Sequence, residues 1–149
     1  MTKELTFVEV GADLERSDST VIWLHGLGAD GYDFAPVARM LGCKGRRFIL
    51  PHAPSMPVTI NGGMVMPAWY DILSLDPAAR DLPRESSNDV INSSKLVNIL
   101  IENEIERGIP EERIVLAGFS QGGALALHIS VRSKYNLAGI IALSCYLPV

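Results

Sequence analysis

A serine with a glycine two positions to either side, Gly118-Phe-Ser120-Gln-Gly122, follows the apolar run Ile114-Val-Leu-Ala117 and precedes an Ala/Leu-rich stretch. That order reads as strand, sharp turn, helix. A turn this tight leaves no room for a Cβ at Gly118 or Gly122 and holds the serine between them outward in a strained conformation, its hydroxyl presented as a nucleophile. Five positions with two free match by chance often, so the context carries the reading. β-Branched Ile114 and Val115 feed the turn, and Gly122-Gly123-Ala124 let a helix start pack against that strand. The plainer role for Ser120 is a helix-capping hydroxyl in a Gly-rich loop.

A serine that attacks a carbonyl needs donors for the oxyanion it creates. One is the backbone N–H of the following residue, Gln121, and a second is expected from the loop after an earlier strand. His25-Gly-Leu-Gly28 is placed for that second role, because its glycines let the backbone turn an N–H inward; the donor is assigned to Leu27. Gly26, Gly28 and Gly31 also spell Gly-x-Gly-x-x-Gly, a dinucleotide fingerprint. The acid that motif requires about 20 residues further on is absent from Arg46-Arg-Phe-Ile-Leu-Pro-His52, and helix signals start near Asp33 rather than inside the motif. No nucleotide cofactor is expected.

The nucleophile also needs a base, and in the chain order serine, acid, histidine both partners should follow Ser120. The only histidine there is His128, and no Asp or Glu occurs. Along a helix leaving the turn, His128 stands roughly 12 Å from the serine and cannot reach it. His25 and His52 read as structural histidines anchoring turns, and Asp71 as a pin for its own loop. The three histidines share no metal-ligand spacing with one another or with Cys43 and Cys145, so no metal site is expected.

The elements that must hold these residues follow from periodicity. Leu5 to Val10 alternates like an edge strand, while Thr20 to Leu24, Phe48 to Leu50 and Gly139 to Leu143 are denser runs of the kind buried on both faces. Asp33 is the expected N-cap of a first helix, with Pro36 in its first turn and Gly42 at its end. Ser86 and Asp89 resemble a capping box. Val90, Ser94, Val97, Ile101 and Ile105 then share one helical face, with Lys95, Glu102 and Glu106 outward and Gly108 and Pro110 closing the helix. Residues 55–81 read as irregular, with five prolines between Pro51 and Pro77. Their large apolar side chains either cover a groove or form a small core of their own. Strands alternating with helices predict a mostly parallel sheet with helices on both faces.

At 149 residues, 48% hydrophobic and 20% charged, the chain has the size and composition of one α/β domain with a substantial core. A net charge of -4, with Lys44-Gly-Arg-Arg47 as its densest basic cluster, gives no support to nucleic-acid binding. Two distant cysteines make no disulfide framework. Without an apolar leader or a stretch of roughly 20 apolar residues, neither a signal peptide nor a membrane span is expected, and a cytoplasmic setting follows as the default.

Leu24-His-Gly-Leu-Gly28, Pro51-His-Ala-Pro54, Pro57-Val-Thr-Ile-Asn-Gly62, Met66-Pro-Ala-Trp-Tyr-Asp-Ile72, Gly108-Ile-Pro110 and Arg113 to Gly123 together resemble the carboxylesterase and acyl-protein thioesterase family of α/β hydrolases. They occur in that family's order across nearly the whole chain. The resemblance implies an α/β-hydrolase fold and hydrolysis of a small-molecule carboxylic ester or acyl thioester, with Ser120 as nucleophile, Leu27 and Gln121 as backbone oxyanion donors, and neither metal nor organic cofactor. It further implies that Met66, Trp69, Ile72 and Leu73 line the acyl pocket. The family's acid and histidine motifs would lie beyond Val149, so the expectation is an N-terminal portion lacking C-terminal strands, nearly inactive by itself. The alternative is a non-catalytic remnant of the fold acting as a binding or interaction module. An uncovered terminal strand would also favour association, as a homodimer or otherwise.

Overall fold

The computed structural model describes residues 4–79 and 81–148. Among them the main sheet has five strands: β1 (Phe7–Gly11), β2 (Ser19–Leu24), β3 (Arg46–Pro51), β6 (Ile114–Phe119) and β7 (Gly139–Leu143), in the spatial order β1-β3-β2-β6-β7. β3, β2, β6 and β7 run parallel, and β1 joins β3 antiparallel at the margin. The dense aliphatic runs occupy the middle because a parallel sheet covered by helices buries both faces of its strands.

Alternation along the strands divides the core in two. Ile22, Leu24, Ile49 and Leu116 point to the face covered by α2 (Ser87–Glu106) and α3 (Gln121–Ser130), where they meet Val97, Ile101 and Leu125. Trp23, Phe48, Leu50 and Ala117 point to the opposite face, against Ala35 and Ala38 of α1 (Ala35–Met40). Each fully buried aliphatic or aromatic side chain contributes about 1.5–3 kcal/mol.

Ser86 caps α2, its hydroxyl accepting from Asp89 N–H at 3.3 Å. The reciprocal half of the expected box is not made: Asp89 Oδ2 accepts from Asp71 N–H instead, at 3.2 Å, and so ties the helix start to the preceding loop. Val90, Val97 and Ile101 are buried as their spacing predicts, but Ser94 and Ile105 are only half-buried, and Ser93, Leu100 and Glu104 complete the inner face.

Two expectations need correction. The first helix does not start at an Asp33 cap. Asp30 caps a 3-10 turn, Gly31–Phe34, by accepting from Tyr32 N–H at 2.8 Å, and α1 follows with Pro36 in its first turn. Only glycine fits at position 31 in this turn, since a Cβ there would collide with the Leu50 carbonyl. The stretch 55–81 is not wholly irregular, because β4 (Ser55–Val58) and β5 (Met64–Pro67) pair antiparallel as a small ribbon. β7, patterned like an interior strand, lies uncovered at the margin among the described residues, as expected of the terminal strand, with Ile141 and Leu143 exposed.

Candidate active site at the turn between β6 and α3

Ser120 sits between β6 and α3 with φ 52° and ψ −118°, a backbone conformation costly for any residue with a Cβ. Its N–H donates to Leu143 O at 2.9 Å and its carbonyl accepts from Ala124 N–H at 3.0 Å, which over-determines the strained position. The side chain is exposed. The glycines around it are required by contact: a Cβ on Gly118 would strike the Gly122 carbonyl, and one on Gly122 the carbonyls of Leu24 and His25. α3 therefore lies directly on the ends of β2 and β6.

The loop after β2 lies beside this turn. A Cβ on Gly26 would stand 3.6 Å from Ser120 Cβ and 3.4 Å from the Phe119 ring. Gly28 adopts φ 76° and donates its N–H to Pro67 O at 2.8 Å. Among the described residues, the backbone N–H groups of Leu27 and Gln121 have no protein acceptor, and both residues line the same cleft as Ser120. Leu27 and Gln121, whose amides are unengaged, and the exposed Ser120 thus line one space of about 260 Å³.

Of the residues expected to line an acyl pocket, Ile72 lies in the wall of this cleft. Met66 and Leu73 are not among the lining side chains, and Trp69 is withdrawn from the surface altogether, at 0% exposure. Its indole N–H donates to His25 O at 2.8 Å and its backbone N–H to Gln121 Oε1 at 2.7 Å, so it braces the site from within. The walls are completed by Ile60, Tyr70 and Leu75, and by Ser144, Cys145 and Tyr146 after β7. Those last three went unnoticed in the sequence. Their position at the carboxyl end of a parallel strand, next to the turn, was the signal available.

The electrostatics of the cleft leave Ser120 as its nucleophilic candidate. Burial pushes the Cys145 thiol up, away from the reactive thiolate. Tyr70 and Tyr146 are likewise raised, by burial first and then by neighbours including Glu85; their hydroxyls lie 3.2 Å apart and Tyr146 donates to Glu85 Oε2 at 3.1 Å.

The histidines hold structure. His25 is buried, with Nδ1 2.7 Å from Gly26 O and Nε2 accepting from Ala53 N–H at 3.0 Å, so the ring is neutral and protonated on Nδ1. Burial lowers its pKa. His52 Nδ1 accepts from Gly31 N–H at 3.0 Å, and His128 is buried on α3. Among the described residues no imidazole or carboxylate hydrogen-bonds the Ser120 hydroxyl, and no group of His, Cys, Asp and Glu could hold a metal ion. Asp71 pins its loop, accepting from Thr59 N–H at 2.7 Å and Thr59 Oγ1 at 2.6 Å. Gly31 precedes α1, so the Gly-x-Gly-x-x-Gly stretch delivers no phosphate to a helix N-terminus. No helix among the described residues is long and apolar enough to cross a membrane.

A mostly parallel sheet with helices on both faces, and a strained serine where a central strand turns into a helix, define an α/β hydrolase. The profile of the family described as Phospholipase/Carboxylesterase matches residues 5–149, and the chain belongs to that family. It is 47% identical over 137 residues to acyl-protein thioesterase 1 of Neurospora crassa, covering 89% of this chain and 56% of that protein. Among solved structures it is similar to Arabidopsis thaliana SOBER1 (TM-score 0.80, 30% identity, 88% of this chain and 63% of that one). Zea mays acyl-protein thioesterase 2 superposes nearly as well (TM-score 0.78, 28% identity, 96% and 63%). The chain thus spans little more than half the length of its Neurospora relative.

Proposed function

We propose that this chain carries the acyl-accepting half of a serine hydrolase for small-molecule carboxylic esters or acyl thioesters. The observation that carries the reading is the conformation of Ser120: a strained, exposed serine sharing a cleft with the two unengaged amides of Leu27 and Gln121. Ser120 Oγ attacks the carbonyl carbon, the carbonyl oxygen becomes an oxyanion received by those amides, and expulsion of the alcohol or thiol leaves an acyl-serine that water hydrolyses. Gly118 and Gly122 hold the turn, and Ile72 with Tyr70 and Leu75 receives the acyl chain. No metal or organic cofactor takes part.

The proton from Oγ needs a base, and among the described residues no imidazole or carboxylate hydrogen-bonds that hydroxyl. The relatives are longer, and we place the histidine and its carboxylate in the part of the fold that these residues do not cover. Loss of the base costs on the order of a million-fold in turnover, so residues 1–149 alone hydrolyse esters barely or not at all. The proposed setting is a cytoplasmic, single-domain enzyme, with self-association through the edge of β7.

A fluorophosphonate probe followed by peptide mass spectrometry tests this. The longer protein is modified at Ser120 within minutes, residues 1–149 far more slowly, and Ser120→Ala not at all. Equal rates for the two lengths would remove the missing-base reading, and modification at any other residue would remove the nucleophile. A longer protein that resists the probe yet binds acyl esters is the binding module, the reading favoured by the unpartnered hydroxyl.

A further inference from the structure

The two amides that face Ser120 sit on separate loops, and the sheet does not set their spacing. The last register pair between β2 and β6 is Leu24 with Gly118, so beyond it the two chains separate without ladder bonds. An oxyanion site works only when both donors reach one oxygen at about 2.7–3.1 Å. Some other contact must fix the gap between Leu27 and Gln121.

The segment 67–70 crosses that gap and bonds to both sides. Toward the β2 loop, the Trp69 indole N–H donates to His25 O at 2.8 Å and Pro67 O accepts from Gly28 N–H at 2.8 Å, so the two bonds bracket Leu27. Toward the turn, Trp69 N–H donates to Gln121 Oε1 and Gln121 Nε2 donates to Tyr70 O, each at 2.7 Å. The carboxamide thus pairs with the loop backbone as a neighbouring strand would. Ser93 Oγ of α2 donates to Trp69 O and anchors the crosspiece from behind. Trp69 is 0% exposed and Gln121 3% exposed, so a lost bond here leaves its partner unsatisfied away from water. Asparagine at position 121 would be a methylene too short, and glutamate would offer Tyr70 O no donor.

The geometry points to Trp69 and the Gln121 side chain as positioning residues, a strut that holds the Leu27 and Gln121 amides at the spacing one oxyanion requires. This deepens the proposed function and rests on its reading of Ser120. Trp69 acts on Leu27 through His25, Pro67 O holds Gly28 on the other side of it, and the Gln121 carboxamide fixes its own backbone amide against the same segment.

The test uses residues 1–149 with Trp69→Phe, which keeps an aromatic ring without the indole N–H, and Gln121→Met, which keeps length and the backbone amide without the carboxamide. The first measurement is the amide proton and nitrogen shifts of Leu27 and Gln121 without ligand. Each substitution moves the amide on the far side of the cleft, Leu27 for Gln121→Met and both for Trp69→Phe. Shifts confined to the chain neighbours of the substituted residue overturn the strut, whatever the chemistry of Ser120. The second is affinity for a short alkylboronic acid, whose boron accepts a lone pair from Ser120 Oγ while the hydroxyl proton passes to solvent, giving a tetrahedral anion. Both variants bind it weaker by on the order of tenfold to a hundredfold at a temperature where circular dichroism shows them folded. Unchanged affinity in a folded variant assigns these residues to packing alone and ends the proposal. If the unsubstituted chain forms no adduct, the Ser120 reading itself fails, while the shift measurement still decides the strut. Should Trp69→Phe not fold, Gln121→Met carries both arms.

Discussion

Ser120 occupies a backbone conformation that glycine would tolerate far better, and its neighbours hold it there through the bonds to Leu143 and Ala124. Such a position stores about 1–3 kcal/mol. Ser120→Gly is therefore expected to raise the urea midpoint while abolishing phosphonate labelling, whereas Ser120→Ala abolishes labelling without the gain in stability. A glycine variant no more stable than alanine would show the turn to be unstrained. His25 makes a second prediction at this scale. Its pKa is lowered in the fold by burial, so on acidification the unfolded chain takes up a proton near its ordinary value of about 6.5 before the native imidazole does. The unfolded state then binds more protons and stability rises with pH; the contribution is complete above about pH 6.5 and is lost progressively below it. Denaturant unfolding from pH 7.5 to 5.5 should show His25→Asn losing up to one proton's worth of slope, about 1.4 kcal/mol per pH unit; parallel curves for the two proteins would contradict it. The turn at Ser120 was legible because its glycines act on backbone only a few residues away. Trp69 was misread as a pocket wall because its partners, His25 and Gln121, lie 44 and 52 residues off, a distance that no local pattern encodes.

Among elements, β1, β2, β3 and α2 are joined at the end opposite the cleft by a charge cluster in which Arg47 and Glu104 are buried and Glu9 is exposed. Arg47 donates to Glu9 Oε1 at 2.6 Å, and its Nη2 lies 3.3 Å from Glu104 Oε1 without hydrogen-bond alignment. Thr20 Oγ1 donates to Glu104 Oε2 at 2.7 Å. The Arg47 and Glu104 side chains are 4% and 3% exposed, so removing Glu104 leaves Arg47 in a low dielectric with Glu9 as its remaining carboxylate partner. Glu104→Ala is expected to cost about 3–5 kcal/mol by denaturant titration, and Arg47→Met with Glu104→Leu far less. A double variant as damaged as the single one would assign the loss to packing. Periodicity placed α2 and the sheet strands, since both rest on one long repeating pattern. It failed at α1, where a 3-10 turn capped by Asp30 precedes the helix, and at the ribbon of β4 and β5. There Pro57 and Pro67 read as breakers, although a two-stranded ribbon has outward positions that need no N–H.

At the scale of the molecule, the two margins of the sheet differ in kind. β1 carries Glu9, paired with Arg47, and ends at Gly11 with φ 103°. β7 is Gly-Ile-Ile-Ala-Leu, without a charge, and the groove beside it on the α1 face is lined by Val21, Trp23 and Val115 together with Ile141. Uncharged margins of this kind recruit other strands. Sedimentation of residues 1–149 is expected to show reversible association that Ile141→Lys weakens at least tenfold; an unchanged constant would place the contact elsewhere. The family's overall plan was legible because its motifs are spread along the chain, and so were both margins, β1 by its alternation and β7 as an uncovered terminal strand; the order of the strands between them was not, since no single segment reveals it. The difference between the margins also bears on the expected association. If two copies of residues 1–149 met through β7 about a twofold axis, each would consume the other's recruiting surface, and the far sides would offer a charged border instead. Assembly would then be expected to halt at a pair, short of the open-ended filaments that two equally receptive borders would build.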